Sequence, residues 1–486
     1  MIRIGIIIAT IALLLSCSQN NSTSSGYSLK GKVDYTGESG DGDVEIMIYP
    51  YPVINDTLQQ IMDEYPQIGV PVTPEMLFDK NESDPLKKAM TDNSGSWEVD
   101  GLSEGNYIAV LKKEYAYEFI YNLKVPEIDN SGLVELKKAI VYNDGDIINN
   151  NVIIEENSNV YFEGVVRVSE FGSLTINPGA KLVFSDSTLA YDKGTLIVNG
   201  RMTVAGSSDN YVQLFGDGDG LRDAWGGVRA GEGATLDFER FIVRNSYKGV
   251  GGDKATNKFR FAVFKGNTVG GKTSYNTIES ECYNIVALDN ETGMDYFAPN
   301  EETTINKSII FRNYFGVILW GESTSTYKNS YLCLNRIAIR TYQFFNGCVN
   351  NSNFNYNERS IFIHGDNLNI GDTSLKVFEN DFFSSKYYHI IINSYAYYNE
   401  ARPVIVSNNF HILNLLVNIY GTRPHPNSFS IDFTNNWLNG ETDSLAIEDC
   451  IFDKDDVEEQ FKPYTGNVFF SPVSSFIVYN TGIQDE

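Results

Sequence analysis

The sequence predicts an all-β chain, in which a first unit of strands is followed by a long solenoid of short parallel strands. Asparagine (49 of 486 residues) and glycine (41) are abundant, and this composition is typical of many tight turns between short strands. In addition, one asparagine recurs after short apolar strands at intervals near 22 residues. A fixed period of this size is typical of a solenoid, and strand-only rungs of this length predict a right-handed parallel β-helix.

Composition and charge limit the possible partners. The hydrophobic share of 42% is sufficient for a packed core and argues against a disordered chain. The 63 acidic and 37 basic side chains give a formal net charge of −26. A nucleic-acid partner is not expected, because a phosphate backbone requires a basic stripe that this sequence lacks. The same charge disfavours adsorption to anionic lipid headgroups.

The N-terminus has the pattern of an exported lipoprotein. A basic start is followed by the apolar run 4–15, which is too short to span a bilayer and is typical of a secretory signal. The segment Leu14-Leu15-Ser16-Cys17 resembles the bacterial lipobox. The resemblance implies a signal peptide over 1–16, acylation of Cys17 and a flexible tether over 17–26. It also implies a membrane partner reached through acyl chains and, with Ser18 in a Gram-negative cell, location at the outer membrane. A plain secretory signal is the alternative.

Residues 27–141 are expected to form the first unit. Alternating strand patterns begin it, and the stretch Thr91–Tyr107 contains T-D-x-x-G-x-aromatic and G-L-x-x-G-x-Y motifs. This stretch resembles the carboxypeptidase regulatory-like (transthyretin-like) β-sandwich, whose members act as spacers or binding modules. An insert over 56–86 departs from that pattern and contains a predicted helix over Thr57–Glu64. The unit is expected to cover the first end of the solenoid.

The solenoid is predicted over 142–442, with a closing segment over 443–486. The intervals between the recurrent asparagines are 22, 46, 22, 22, 23, 28 and 27, of which the 46 is interpreted as two rungs. Each asparagine side chain is expected to bond to its neighbour one rung away, at about 4.8 Å. These predicted ladder positions are Asn245, Asn267, Asn313, Asn335, Asn357, Asn380, Asn408 and Asn435.

Two further segments resemble secreted proteins of the parallel β-helix repeat family. Asp223–Val228 is similar to their W-x-G-[IV] rung, and the segment from Asn435 to Pro472 is similar to their closing segment. The resemblance implies the fold and a capped C-terminal end. It does not choose a function, because this fold is used by lyases, hydrolases, esterases, adhesins and spacers.

The search for catalytic residues leaves one candidate group. The N-T-D, G-H-G and R-I-K elements of pectin-hydrolase-like members do not occur. The residues after three successive asparagines are Arg336, Glu358 and Asp381, expected to stack about 5 Å apart. They would supply a lyase-type base beside a cation, or half a calcium site. A solvated ion ladder is the alternative and is favoured, so that the sequence points away from an enzyme without excluding one.

Calcium is the only cofactor for which the sequence offers a candidate. Asp217, Asp219 and Asp223 have the D-x-D spacing of a calcium loop but lack its full motif. A turn-rich insertion is the alternative. The histidines at 364, 389, 411 and 425 are too scattered to predict a metal site. The cysteines at 282, 333, 348 and 450 are expected to be buried thiols, with disulfides as the alternative.

A ligand-binding column is predicted seven residues after three of the asparagines. Trp320, Tyr342 and His364 occupy these positions, and Arg340 precedes Tyr342 by two residues. An outward column of rings offers surfaces against which sugars pack. The alternative is that the rings stack on one another and bind nothing.

The sequence therefore predicts a non-catalytic surface or periplasmic lipoprotein that binds or displays a polysaccharide. A polysaccharide-active enzyme, more plausibly a lyase than a hydrolase, is the alternative. A structural spacer is the second alternative.

Overall fold

A computed structural model gives the fold. It describes residues 26–126, 132–186, 194–218, 222–274, 279–297, 304–320, 326–342, 347–364, 375–394, 403–412, 416–421, 430–441, 443–452, 467–469, 473–474, 477–478 and 481–484. Cys17 and the predicted N-terminal signal lie outside this range. Within it, strands dominate and helices are few and short, so the all-β prediction is confirmed.

The N-terminal unit contains two sheets with a common core. One has the strand order β4-β1-β7 and the other β3-β2-β5-β6. Side chains that alternate along the strands, such as Leu29, Trp97 and Leu111, fill the space between them. The predicted helix is confirmed as α1, which begins one residue earlier. The elements are β1 Tyr27–Tyr35, β2 Glu45–Pro50, α1 Asp56–Glu64, α2 Pro74–Leu77, β3 Lys87–Met90, β4 Ser96–Leu102, β5 Gly105–Lys113, β6 Ala116–Val125 and β7 Leu133–Leu136.

The remainder of the chain winds into a three-sided parallel β-helix, as predicted. Each coil contributes a short strand to each side, and successive coils pair in parallel. The elements are β8 Ile140–Tyr142, β9 Ile147–Ile148, β10 Asn151–Ile154, β11 Asn159–Phe162, β12 Val165–Val168, β13 Ser173–Ile176, β14 Lys181–Phe184, β15 Thr195–Val198, β16 Arg201–Ala205, β17 Val212–Gly216, β18 Gly227–Ala230, β19 Thr235–Arg244, β20 Val250–Asp253, β21 Thr256–Lys265, β22 Val269–Ser274, β23 Glu279–Leu288, β24 Thr292–Phe297, β25 Thr304–Asn306, β26 Ile309–Phe311, β27 Phe315–Trp320, β28 Thr326–Lys328, β29 Tyr331–Cys333, β30 Ile337–Tyr342, β31 Cys348–Asn350, β32 Asn353–Asn355, β33 Asn357–His364, β34 Lys376–Phe378, β35 Asp381–Phe382, β36 Ser385–Ser394, β37 Val404–Val406, β38 Asn409–Phe410, β39 Val417–Gly421, β40 Ser430–Asp432, β41 Trp437–Leu438, α3 Ser444–Glu448, β42 Ile451–Phe452 and β43 Asn467–Phe469.

The three sides are here named sheets A, B and C. Sheet B has 13 strands among the described residues, namely β9, β12, β15, β18, β20, β22, β24, β27, β30, β33, β36, β39 and β42. Sheets A and C share the long strands β19, β21 and β23, whose halves lie on either side of a corner. Sheet A also contains β8, β11, β14, β17, β26, β29, β32, β35, β38 and β41, and sheet C contains β10, β13, β16, β25, β28, β31, β34, β37, β40 and β43.

Two corners of the coil are made by residues in the left-handed region. Between sheets A and B, four successive coils each have one such residue, with φ between 50 and 58°, namely Asp289, Arg312, Leu334 and Tyr356. Between sheets C and A, a second such column includes Lys307, Asn329, Asn351, Glu379, Ser407 and Asn435, with φ between 49 and 58°. Each such residue costs about 1–3 kcal/mol when it is not glycine, so an interaction at the corner must stabilise it.

A buried ladder of amides provides that stabilisation at the corner between sheets A and B. The backbone N–H of Asn313 donates to Oδ1 of Asn335 (2.9 Å), and the Nδ2 of Asn335 donates to Oδ1 of Asn357 (3.0 Å) and to the Ile310 carbonyl (2.9 Å). The same pattern joins Asn267 to Asn290 and Asn290 to Asn313. The ladder runs through Ser246, Asn267, Asn290, Asn313, Asn335 and Asn357.

A separate ladder lies at the corner between sheets C and A. Here Ser352 N–H donates to Oδ1 of Asn380 (3.0 Å), and Asn380 N–H donates to Oδ1 of Asn408 (3.1 Å). The members are Ser308, Ser330, Ser352, Asn380, Asn408 and Asn436. The prediction of one ladder was therefore wrong, because the 23-residue interval from Asn357 to Asn380 connects two different corners.

Two predicted ladder positions are displaced by one residue. Asn245 and Asn435 are themselves left-handed residues (φ 59° and 58°), and the ladder members are the residues that follow them, Ser246 and Asn436. Asn290, which the predicted set omitted, is the ladder member in the middle of the 46-residue interval. The coils also lengthen along the chain, from 22 residues at Ser308–Ser330 to 28 at Asn380–Asn408.

The N-terminal unit lies against the outer side of sheet A. The rings of Tyr117 and Phe119 pack on Phe215, with centroids 5.5 and 5.7 Å away. Ion pairs flank these rings, since the Lys181 ammonium lies 2.9 Å from a Glu118 carboxylate oxygen and the Lys112 ammonium lies 2.7 Å from Asp217. The unit therefore covers a side of the solenoid.

The insert continues along sheet A as a strap, defined here as residues 54–82. It buries Leu58, Ile61, Ile68, Val70, Val72 and Leu77 against outward side chains of successive coils, namely Ile242, Val263, Val286, Ile309 and Tyr331. At about 25 cal/mol per Å² of apolar surface, such burial is a major stabilising contribution. Beyond the strap, Val478 N–H donates to Asn409 Oδ1 (2.9 Å), so the C-terminal segment covers the last part of this sheet.

The first end of the solenoid is only partly covered, contrary to expectation. On the first coil, Ile140 pairs with the interior residue Val160 yet is 44% exposed, whereas the interior side chains of Ile148 and Ile154 are buried. The physical reason is that the N-terminal unit is held against sheet A by its aromatic rings and ion pairs, and therefore lies beside the end.

Replacement of Asn335 by leucine tests the ladder. The change leaves the amide partners of Asn335 above and below without their buried hydrogen bonds, which should lower the free energy of unfolding by about 2–5 kcal/mol. Asn350→Leu, at a half-buried site on sheet C outside both ladders, is the matched control and should cost less than about 1 kcal/mol. Denaturant unfolding measures both, and equal losses would contradict the assigned role of the ladder.

Candidate functional site

Among the described residues, one of the three sides combines access with ligand-binding chemistry. Sheet A is covered by the N-terminal unit, the strap and the C-terminal segment. On sheet C, the arginines are paired with an acid, since the Arg260 guanidinium lies 2.6 Å from Asp237 and Arg201 lies 3.8 Å from the same carboxylate. Sheet B carries aromatic and cationic side chains and is the candidate binding face.

The ladder fixes which side chains point outward on sheet B. The fourth and sixth residues after Asn313, Asn335 and Asn357 face the interior, and Val317, Ile339 and Ile361 are fully buried there. The second, fifth and seventh residues point outward. The outward set, here called the sheet B patch, includes Asp295, Phe315, Trp320, Ile337, Arg340, Tyr342, Arg359, Phe362, Tyr388 and Ile391, with Tyr314, Arg336, Glu358, Lys386 and Tyr387 at the corner.

Trp320 and Tyr342 form a stacked ring pair in this patch. They are register partners on β27 and β30, with centroids 4.1 Å apart and planes 12° apart. The indole N–H of Trp320 donates to Oδ1 of Asp295 (2.6 Å), which fixes the ring orientation. Because the rings stack along the rod axis, they present their edges outward and their faces to each other.

His364 continues the same register column. It is the last residue of β33, and its neighbour Ile363 pairs with Thr341, the neighbour of Tyr342. Its side chain lies outside the described part of the structure. The predicted alignment of the three positions therefore holds for the backbone.

Arg340 lies among aromatic rings. Its guanidinium carbon is 4.2 Å from the centroid of Tyr342, 5.1 Å from that of Phe315 and 5.4 Å from that of Phe362. Cation–π attraction of this kind holds the side chain in place. Arg340 forms no ion pair with any described residue, and its buried Nε has no hydrogen-bond partner there.

An apolar cluster forms the floor of the patch. Ile337, Phe362 and Ile391 are 5%, 8% and 4% exposed although they point outward from sheet B. The rings of Phe315 and Tyr388 pack against them. Because the floor is packed, the charged and aromatic groups above it are held in defined positions.

Arg336 and Glu358 lie at the corner end of the patch. Nε of Arg336 is 3.8 Å from Glu358, and the Lys386 ammonium is 3.3 Å from the same carboxylate. The Arg336 guanidinium also lies 4.4 Å from the Tyr314 centroid. These side chains are well exposed, so the ion pairs add little stability.

Asp381 does not join this group, so the predicted stack of three is corrected. It lies on sheet A, paired with Asn353 and Asn409. Its Oδ1 accepts from Asn409 Nδ2 and from the Thr481 hydroxyl, both at 2.9 Å. The reason is that Asn380 belongs to the corner before sheet A, whereas Asn335 and Asn357 belong to the corner before sheet B.

Lysine side chains contact the candidate calcium loop. The Lys80 ammonium donates to the carbonyl of Asp217 (3.1 Å), and Lys112 and the Tyr117 hydroxyl contact the Asp217 carboxylate. These groups line a polar cleft of about 570 Å³ between the N-terminal unit and sheet A. Asp223 is exposed, and Asp219 lies outside the described residues. The described residues contain no group of three or more His, Cys, Asp or Glu side chains arranged for a metal.

The histidines and cysteines whose side chains are described are buried or half-buried. Burial between the rings of Phe382 and Phe410 lowers the pKa of His389 to about 4, whereas His411 contacts Asp381 at 3.3 Å. His425 lies outside the described residues. The four described cysteines are free thiols, and burial raises the pKa of Cys282 and of Cys333 to about 12, which keeps both protonated.

Sequence reasoning missed several members of the patch. Phe315, Ile337 and Arg359 each lie two residues after a ladder asparagine, and Asp295 lies five residues after Asn290. The spacing of these residues from the ladder asparagines was the sequence pattern that could have predicted them. The second offset is less regular than the others, since it is apolar at Phe315 and Ile337 but charged at Arg359, and Asn290 lies within the 46-residue interval.

No protein-family model, curated protein or solved structure matches this chain. Among the described residues, no helix is long and apolar enough to cross a membrane. The function is therefore inferred from the chemistry of the patch and from the signals in the sequence.

His389 predicts a pH dependence of stability. Since its pKa in the folded chain is about 4, below about 6.5 in the unfolded chain, the unfolded state takes up a proton first as the pH falls. The contribution to stability is complete above about pH 6.5 and is lost progressively towards pH 4, by up to about 3 kcal/mol. His389→Leu should flatten the pH dependence of the unfolding free energy over this range.

The control is Ile390→Leu on the same strand, which removes no titratable group and should retain the wild-type slope. An unchanged slope in His389→Leu would show that the acid sensitivity has another source.

Proposed function

We propose that this protein is a lipid-anchored, non-catalytic component of the cell envelope that binds or displays a polysaccharide on sheet B. The observation that carries the proposal is that the accessible side of the solenoid bears the stacked Trp320–Tyr342 pair beside Arg340. Aromatic rings with a few fixed polar groups are typical of sugar-binding surfaces.

The form of the patch supports an extended ligand. It follows the rod axis over coils spaced about 4.8 Å apart. Asp295 and Arg340 supply an acceptor and a donor for hydroxyl groups on either side of the ring pair. A linear chain could contact several coils at once, so that weak contacts add to a useful affinity.

The N-terminal features complete the proposal. The lipobox resemblance supports acylation of Cys17, which would place the solenoid at the outer membrane of a Gram-negative cell. Several acyl chains on one residue give stable anchoring at about 0.8 kcal/mol per buried CH₂. The two-sheet unit after the tether resembles carboxypeptidase regulatory-like domains, and we assign it a spacer role.

The double variant Trp320→Ala, Tyr342→Ala tests the binding face. It should weaken binding to polysaccharide by about tenfold or more, because aromatic anchors dominate such interfaces. A pull-down on insoluble polysaccharide, or a glycan array followed by titration, measures the loss.

Tyr283→Ala, a half-exposed ring on sheet C, is the matched control and should bind as the wild type does. A folded double variant with full binding would exclude this face as the site.

Replacement of the lipidation residue tests the anchor. Cys17→Ala should abolish incorporation of labelled palmitate and move the protein from the membrane fraction to the soluble one, since the acyl chains supply the membrane affinity. Cys450→Ala, a half-buried free thiol near the C-terminus, is the control for loss of a cysteine. Incorporation of labelled palmitate into the Cys17→Ala variant would contradict the proposal.

The second candidate is a polysaccharide lyase, favoured by the Arg336–Glu358–Lys386 cluster. It would release unsaturated uronides, detected by ultraviolet absorption, and Glu358→Gln would abolish the release. Sustained turnover lost in this variant would replace the binding proposal. A spacer would show neither turnover nor binding.

A further inference from the structure

The orientation of the ring pair determines which atoms meet a ligand. Trp320 and Tyr342 stack with planes 12° apart along the rod axis. Their faces are thus turned towards neighbouring coils and their edges towards solvent. The edge of an aromatic ring carries partial positive charge, so the exposed part of the pair favours electronegative oxygen atoms.

The cations of the patch are incompletely neutralised. Arg340 and Arg359 point outward on adjacent coils, and neither forms an ion pair with any described residue. Arg336 and Lys386 share a single carboxylate, that of Glu358. With Lys272, which lies 3.9 Å from Asp295, and Glu291 at the corner, the described part of this face has five cations against three carboxylates, although the whole chain has a net charge of −26.

The described arginines on the strands of the other two sheets are bonded to neighbouring groups, Arg244 of sheet A for example to Gln213. On sheet C, the guanidinium groups of Arg201 and Arg260 both contact Asp237. On sheet A, Lys181 is paired with Glu118 of the N-terminal unit and Lys265 with Glu82 of the strap. Among the described residues, unpaired guanidinium groups on the accessible face indicate a ligand that brings its own negative charge.

We infer that the ligand is an anionic polysaccharide that lies along sheet B, with its acidic groups on Arg340 and Arg359. The inference rests on the proposed function and specifies its ligand class. The guanidinium groups bind the carboxylate or sulfate oxygens, the ring edges contact the oxygens of adjacent hydroxyls, and the apolar floor at Ile337 and Phe362 keeps the arginines in position. The two arginines lie on adjacent coils but three residues apart along the strands, since Arg340 pairs with Phe362 and Arg359 with Ile337. The resulting separation of roughly 10 Å suits two charges on a chain that crosses the coils obliquely.

Polymer pairs that differ only in charge test the inference. Polygalacturonate is compared with its methyl ester, and dextran sulfate with dextran, by titration against the full-length protein. At least one of the two charged polymers should bind about tenfold more tightly, or better, than its neutral partner. Preference for polygalacturonate over dextran sulfate would identify carboxylate as the group bound, and the reverse would identify sulfate.

The double variant Arg340→Gln, Arg359→Gln should lose most of this charge preference and bind both members of a pair alike. Arg201→Gln on sheet C makes the same type of change and should leave the preference intact. Equal binding of charged and neutral polymers by the wild type would overturn the inference. Retention of the charge preference by the double variant would also overturn it. Either result leaves the proposed function standing. Absence of binding to every polymer overturns both.

Discussion

The fold depends on hydrogen bonding at two corners of the coil. A parallel strand must turn sharply to reach the next side, and this chain makes the turn with a non-glycine residue in the left-handed region. The residue that follows carries an amide or hydroxyl side chain, which satisfies the backbone of the coil beside it. Asparagine suits this task because one amide can donate and accept at the same time. Each coil is therefore stabilised by its neighbours, as in other repeat architectures.

The ladders also fix the register of every strand. Once Asn313, Asn335 and Asn357 are stacked, the residues at a given offset from them form columns along the rod. This explains why Trp320 meets Tyr342 and why Ile318, Arg340 and Phe362 share a column. The surface of sheet B is thus a consequence of the corner geometry, and the patch has the rigidity of the core beneath it.

The three sides differ in function because they differ in what covers them. Sheet A has large apolar side chains on its outer surface, and these are buried by the N-terminal unit and the strap. Sheet C balances its charges by ion pairs between coils. Sheet B retains rings, guanidinium groups and a packed apolar floor. An extended surface of this kind is suited to a polymer, whereas the core groups such as His389 and Cys282 are buried away from it.

The all-β class, the short helix in the insert and the solenoid period were all readable from local patterns. Turn residues, alternation and the spacing of asparagines are properties of neighbouring residues, and the sequence displays them directly. The alternation of inward and outward residues on sheet B, at Val317 and Trp320 for example, followed from the same period. The tertiary structure decided which corner each asparagine occupies. Asn357 and Asn380 are separated by one ordinary period, yet they lie at different corners because the coils lengthen to 28 residues at that point. This shift carried Asp381 to another side of the rod. Packing likewise decided that the N-terminal unit lies along sheet A and that Trp320 and Tyr342 adopt the stacked one of the two predicted ring arrangements. These outcomes depend on contacts between residues far apart in the chain, such as Lys181 with Glu118, which no local pattern records.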